Sequence, residues 1–162
     1  MTGTLDEKDR AILDILQDDA KITVKQLSRL IGSPVTTTHS RVKRLEKEGY
    51  IRHYRAIVDA KKLGYKTTAF ILVSFTRSSG LDQREVAEEI ARLPQVQEVH
   101  IITGDWDILV KVRVRDVEDL GDFIVDRIRK IRGVEKTYTS VVLDTIKETT
   151  KIPLTPREEA EP

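Results

Sequence analysis

The stretch Ser33-Pro-Val-Thr-Thr-Thr-His-Ser-Arg-Val-Lys-Arg-Leu-Glu-Lys-Glu-Gly49 decides how the rest of the chain is read. It reads as one helix with both ends marked. Ser33 is a natural N-cap, and Pro34 suits the first helical position, where a missing N–H is no loss. Gly49 suits the residue just past the end, where the backbone needs a positive φ. Val35, Val42 and Leu45, with Thr38, fall on one face. Thr36, Thr37, His39, Ser40, Arg41, Lys43 and Arg44 occupy the others. A buried stripe opposed by short hydroxyls and cations suits a helix lying in a DNA major groove. There hydroxyls and guanidinium groups reach base edges while cations meet phosphates. The plain alternative is a solvated amphipathic helix, and the neighbouring segments decide against it.

Upstream, Leu5–Gln17 reads as a helix whose apolar stripe is Ala11, Ile12, Ile15 and Leu16, with Asp6 and Glu7 in the first turn, where the dipole favours anions. Thr23 caps a second helix, Val24–Ile31, with Val24, Leu27, Leu30 and Ile31 inward, and Gln26 completes a capping box. Gly32-Ser33 then turns into the third helix. Three short helices with a glycine turn between the last two predict a helix-turn-helix domain, winged-helix-like, over residues 1–58. Tyr50–Val58, rich in aromatic and β-branched residues, reads as a strand that Arg52, His53 and Arg55 make basic, either a short wing or an arm toward the next domain. Lys47 and Arg52 extend the cationic surface.

Charge is distributed to match. The chain of 162 residues has a net charge of only +1, so the whole-chain balance argues for no partner. Yet Leu5–Ala20 holds six acids against two bases, whereas Pro34–Arg55 holds six bases against two acids. A local basic surface in a neutral chain is an electrostatic footprint on one element. Cys is absent, which excludes a disulfide framework and thiolate chemistry, and no apolar run approaches a membrane span. With no signal peptide either, a cytoplasmic protein without membrane attachment is expected.

After a linker at 59–66 the pattern changes. Thr67–Thr76 alternates, with Ala69, Ile71, Val73 and Phe75 on one face and Phe70, Leu72 and Ser74 on the other. Leu81–Leu93 is helical, and Val96–Thr103 is a strand. Gly104-Asp105-Trp106 is a turn. Asp107–Val114 alternates Ile108, Val110, Val112 and Val114 against Leu109, Lys111 and Arg113. Val117–Ile131 is a helix with Val117, Leu120, Ile124, Ile128 and Ile131 inward, and Val134–Thr145 is a last strand. The order βαββαβ makes the whole an α+β chain with a ferredoxin-like sandwich over 67–148. Both helices must cover one sheet face. Phe70, Leu72 and Leu109 remain on the other, and an open apolar face of this kind predicts a dimer interface. The tail 149–162 has almost nothing to bury and is expected to be mobile.

These residues resemble the leucine-responsive regulatory protein family (Lrp/AsnC, the feast/famine transcription regulators). The resemblance spans roughly Leu5–Ile146 and rests on four segments: Leu5-Asp6-x-x-Asp9-x-x-Ile12-Leu13, Arg41-Val42-Lys43-Arg44-Leu45-Glu46-x-x-Gly49-x-Ile51, Thr103-Gly104-x-x-Asp107, and Thr137-x-Thr139-x-x-Val142-Leu143. It implies a regulator that binds palindromic half-sites on double-stranded DNA. It also implies a second domain for ligand sensing and assembly, with dimers through the open sheet face joining into tetramers or octamers. An amino acid between dimers is the implied effector, near His100, Thr103, Gly104, Asp105, Trp106, Asp107, Thr137, Thr139 and Ser140. In the family pattern the cap residue falls on Pro34 rather than Ser33, and an apolar residue is usual where Thr38 stands.

Other classes fit less well. An RNA-recognition module shares the βαββαβ order but needs exposed aromatics on its central strands, and the third strand here offers Leu109, Lys111 and Arg113 and no aromatic. The three histidines, His39, His53 and His100, are scattered, and no nucleophile elbow, phosphate-cradling loop or His/Glu metal spacing is present. Asp105 and Asp107 flank Trp106 as turn chemistry rather than as an acid/base pair. No catalytic residue, metal or cofactor is therefore expected. A small-molecule-sensing protein without gene regulation is the remaining alternative, and the three-helix unit argues against it.

Overall fold

Asp6 opens the first helix by capping it, and the cap is reciprocal. In the computed structural model, which describes residues 5–76 and 80–154, the Asp6 carboxylate accepts from the Asp9 N–H at 2.8 Å, and the Asp9 carboxylate accepts from the Asp6 N–H at 3.2 Å. Helix α1 then runs Glu7–Asp18. Thr23 and Gln26 make the same kind of box for α2, Val24–Leu30. Gly32, at φ 59°, reverses the chain into α3, Val35–Lys47. Pro34, not Ser33, is its N-cap and supplies no side-chain bond. The Ser33 N–H is instead used in the turn, donating to the Ser28 carbonyl. At the other end Gly49 has φ 79°, which lets the Ile51 N–H reach back to the Leu45 carbonyl.

Ile12, Leu13, Leu27 and Leu45 form the core of this first unit, with Val42 and Ile31 packed at its margin. Burying a leucine or isoleucine of this kind stabilises by about 1.5–3 kcal/mol. Two expected core residues are placed differently: Val35 and Leu30 are exposed, whereas Thr38, on the same stripe, is fully buried. Thr38 is tolerated there because its hydroxyl donates to the Pro34 carbonyl at 3.0 Å. The expected strand at Tyr50–Val58 does not form. The segment has no regular structure and pairs with no strand among the described residues, and Ile57 and Val58 are exposed.

The chain divides into two compact units, one reaching Ile57 and including the segment from Lys147, the other Val58–Ile146. The expected mobile tail is thus split. Residues 155–162 lie outside the described residues, but residues before them seat on α1. Gln17 exchanges two hydrogen bonds with the Ile152 backbone at 2.7 and 3.0 Å. Lys151 pairs with Asp14 and Asp18, and Leu154 packs against the first core. A four-residue stretch with one leucine, one isoleucine and one lysine suffices because α1 presents a matching acidic and apolar surface.

The second unit is a four-stranded antiparallel sheet in the order β2-β3-β1-β4. Its elements are β1 Thr67–Phe75, α4 Gln83–Ala91, β2 Val96–Ile101, β3 Ile108–Val114, α5 Val117–Asp126 and β4 Val134–Val141, with a 3-10 turn at Ile128–Lys130 after α5. Ala69, Ile71, Val73, Ile108, Val110, Val112 and Val114 pack under Val86, Ile90, Leu120, Phe123 and Ile128. The last helix therefore ends earlier than expected. Val117 is exposed, and Phe123 fills the core instead. β4 also stops short, leaving Leu143 and Ile146 exposed.

Candidate functional site

The outward face of α3 carries Thr36, Thr37, His39, Ser40, Lys43 and Lys47, all exposed, and Arg52 is exposed just beyond the helix. The Ser40 hydroxyl donates to the Thr36 carbonyl at 3.0 Å, which leaves its oxygen free to accept. Lys47 has no acidic partner among the described residues, whereas Lys43 lies 2.9 Å from Glu46. The Tyr54 hydroxyl donates to the same Glu46 at 3.1 Å. Partial burial and then the Glu46 carboxylate push the Tyr54 phenol up to about 12, so it stays a donor throughout the physiological range.

Arg41 and Arg44, expected among the DNA contacts, both pair with α1. Arg41 Nη1 lies 2.6 Å from Asp6 Oδ2 and 2.8 Å from Asp9 Oδ1, while Arg44 Nη2 lies 2.6 Å from Asp9 Oδ2. The reason is Asp9, a charged side chain only 1% exposed. A carboxylate in that position must be paired, and the two arginines one turn apart on the facing helix are its available partners. Burial alone would raise the Asp9 pKa; the hydrogen bonds from Arg44, Arg41 and the Asp6 N–H outweigh it and hold the carboxyl below its ordinary 3.8. Two spacings carried this clamp in the sequence: aspartates three apart at a helix start, and arginines three apart on the stripe next to the buried one.

In the second unit the hairpin between β2 and β3 holds Thr103, Gly104 and Asp105 exposed and Trp106 and Asp107 half-buried. Gly104 has φ 114°, a conformation suited to glycine. Asp107 was expected near the effector. Its Oδ2 accepts from the Phe75 N–H at 2.8 Å and Oδ1 from Gln83 Nε2 at 3.4 Å, while the Asp107 N–H donates to the Val73 carbonyl. It stitches the hairpin to the end of β1, where a bulge at Ser74/Phe75 interrupts the ladder. A cavity of about 400 Å³ beside it is lined by Phe75, Leu81, Asp82, Gln83 and Asp107.

The register separates residues that the sequence had grouped. Thr137 and Thr139 pair with Val73 and Ile71, on the helix-covered face, and Thr137 accepts from Arg129 Nε at 3.1 Å. Ser140 pairs with Phe70, on the open face. His100 sits on the open face as well, opposite Leu109 and 3.4 Å from Glu98. Tyr138, which the sequence did not single out, lies on that face opposite Leu72, and its ring centroid is 6.2 Å from that of Trp106. Phe70, Leu72 and Leu109 share the open face as expected. Lys111 beside them is nearly buried and pairs with Glu98 at 3.2 Å. No group of three or more metal-ligating side chains occurs among the described residues, and no described helix is long and apolar enough to cross a membrane.

Comparisons with known proteins match both units. A family profile described as "Lrp/AsnC ligand binding domain" matches residues 68–152, and one described as "Winged helix-turn-helix DNA-binding" matches 5–52. An uncharacterized HTH-type transcriptional regulator of Pyrococcus abyssi is 47% identical over 91% of this chain and 99% of the relative. The HTH-type transcriptional regulator FL11 of Pyrococcus furiosus is 39% identical over 95% and 99%. Among solved structures, a transcriptional regulator from Neisseria meningitidis in complex with L-methionine superposes with a TM-score of 0.88 at 32% identity, covering 93% of this chain and 97% of that one. AsnC of E. coli superposes with a TM-score of 0.84 at 29% identity, covering 93% and 99%.

Proposed function

We propose a division of labour for this chain, which belongs to the Lrp/AsnC family of transcriptional regulators: the outward face of α3 reads DNA, and the second unit senses an amino acid. One observation carries the reading. The exposed polar groups of α3 are three hydroxyls, an imidazole and two lysines, while its arginines, partly exposed, are paired with α1. Thr36, Thr37 and Ser40 meet base edges, His39 stands beside them, and Lys43, Lys47 and Arg52 meet phosphates. The relatives are regulators by name, so a non-enzymatic role agrees with the scattered titratable groups.

The sheet supports regulation by dimers. Phe70, Leu72 and Leu109 form an apolar strip that a second copy covers, giving a two-fold dimer with two reading helices for two half-sites. Dimers assemble further into tetramers or octamers, with the effector between them. L-methionine in the solved Neisseria meningitidis regulator supports an amino acid here. The exposed N–H groups around Gly104 suit its carboxylate, Asp105 its ammonium, and the Trp106–Tyr138 pair its side chain, with Thr103, Ser140 and His100 at the margin. Selection of bound sequences from random DNA tests the reading. The expected product is a palindrome with half-sites about one helical turn apart, or a multiple of it. Failure to enrich any sequence overturns it.

A further inference from the structure

Helix α3 carries four cations, Arg41, Lys43, Arg44 and Lys47, against one acid, Glu46. By composition it is a strongly basic helix. In the folded unit most of that charge is withheld. Asp6 and Asp9 take Arg41, Asp9 takes Arg44, and Glu46 takes Lys43. Of these four cations, only Lys47 keeps no acidic partner among the described residues. The two arginines retain side-chain exposures of 24% and 37%, so solvent and a nearby phosphate still reach them. One carboxylate, Asp9, 1% exposed, accepts from both; Asp6 gives Arg41 a second acceptor at 2.6 Å, and Glu48 lies 4.0 Å from Arg44.

We infer that Asp9 is a specificity-determining residue for DNA binding, acting by keeping Arg41 and Arg44 away from phosphates. The inference rests on the DNA-reading role proposed for α3. Non-specific binding is supplied almost entirely by cations that neutralise phosphates and release counterions, with a slope of about −0.9 in log K against log salt for each contact. A helix free to commit four cations binds any duplex well. A helix that commits one or two depends on its hydroxyls meeting the right bases. The clamp thus lowers the affinity for random DNA more than for an operator, because in the operator complex base contacts already fix the helix, with the arginines on its α1 side. The clamp also joins the two most specific sequence segments of the first unit, Leu5–Leu13 and Arg41–Ile51, in one structure.

The experiment measures binding to random duplex and to a selected operator across a salt series, for the parent, Asp9→Asn, Arg44→Gln and the double variant. Asp9→Asn keeps one acceptor oxygen but turns an amide NH2 toward a guanidinium, which releases an arginine. Its affinity for random DNA at about 0.1 M salt should rise on the order of tenfold, and its slope should steepen by about 0.9, the value of one phosphate contact. The operator-to-random ratio should fall several-fold. Arg44→Gln alone should leave the random-DNA slope as in the parent, and the double variant should lose the gain of Asp9→Asn. An unchanged slope in folded Asp9→Asn overturns the inference. So does a slope flattened by about 0.9 in Arg44→Gln, since Arg44 would then already meet phosphate in the parent. The Arg44→Gln arm decides the matter even where Asp9→Asn fails to fold. A parent that binds neither duplex removes the functional reading as well, whereas a parent that discriminates between them separates the two failures.

Discussion

Asp9 sits where three demands meet: it closes the capping box of α1, it is buried, and it neutralises two arginines of α3. Asp9→Ala removes the acceptor for the Asp6 N–H and both charge-assisted bonds, and should destabilise the first unit by about 2–3 kcal/mol in thermal or denaturant unfolding. An unchanged melting temperature would show that the clamp does not hold the unit together. The pH dependence has a definite sign. The Asp9 pKa is lower in the folded state than its ordinary 3.8, so the unfolded chain binds the proton more tightly. Its contribution is fully present above pH about 4 and is lost as the pH falls below 3.8 through the folded value. Acid unfolding of the parent should therefore be steeper in this range than that of Asp9→Asn. At this scale the sequence left the pairing of the arginines unread. Basic residues next to a buried stripe read equally as DNA contacts and as partners for a buried acid, and only the packing of α1 against α3 distinguishes them. Thr38 was the opposite case: a polar residue on the apolar stripe is buried because a carbonyl four residues back satisfies it.

The elements themselves were largely legible. The cap at Thr23, the glycine turns and the strict alternation in β1 and β3 are local signals, and local sequence expresses them, whereas Asp6 and Asp82, which cap α1 and α4, fell inside the expected helices. Errors fell where partners decide. Tyr50–Val58 has strand composition but no described strand beside it, and the threonines of β4 were grouped with Ser140 although alternation sends them to opposite faces. Two predictions belong here. Replacing both Phe70 and Leu72 with aspartate should leave β1 in its ladder, since both point away from the core, yet yield monomers in sedimentation at micromolar concentration. A parent that is itself monomeric there would refute the dimer face. For the hairpin, a thermal-shift screen of the twenty amino acids should find at least one that raises the melting temperature of the parent and fails to raise that of Trp106→Ala. Equal responses would move the effector site away from the Trp106–Tyr138 pair. Asp107→Ala is the poorer probe, because its bonds to Phe75 and Gln83 make loss of ligand and loss of structure indistinguishable.

At the scale of the whole molecule, the segment before residue 155 changes what counts as the first unit. Truncation after Ile146 removes Leu154 from that core, at about 1 kcal/mol. It should lower the melting temperature of the unit by roughly 4–8 °C. No shift would mean that the contacts of Ile152 and Leu154 with α1 contribute nothing in solution. Composition alone could not locate this segment, because its few apolar residues matter only against the particular surface of α1. The central claim is that the hydroxyl face of α3 reads the operator. The most direct measurement is the affinity of the triple variant Thr36→Ala, Thr37→Ala, Ser40→Ala for a selected operator and for random duplex at one salt concentration. These side chains are exposed, so the fold should persist. Operator affinity should fall at least tenfold, about 1.4 kcal/mol, with random-DNA affinity nearly unchanged. Operator affinity equal to that of the parent would contradict the claim.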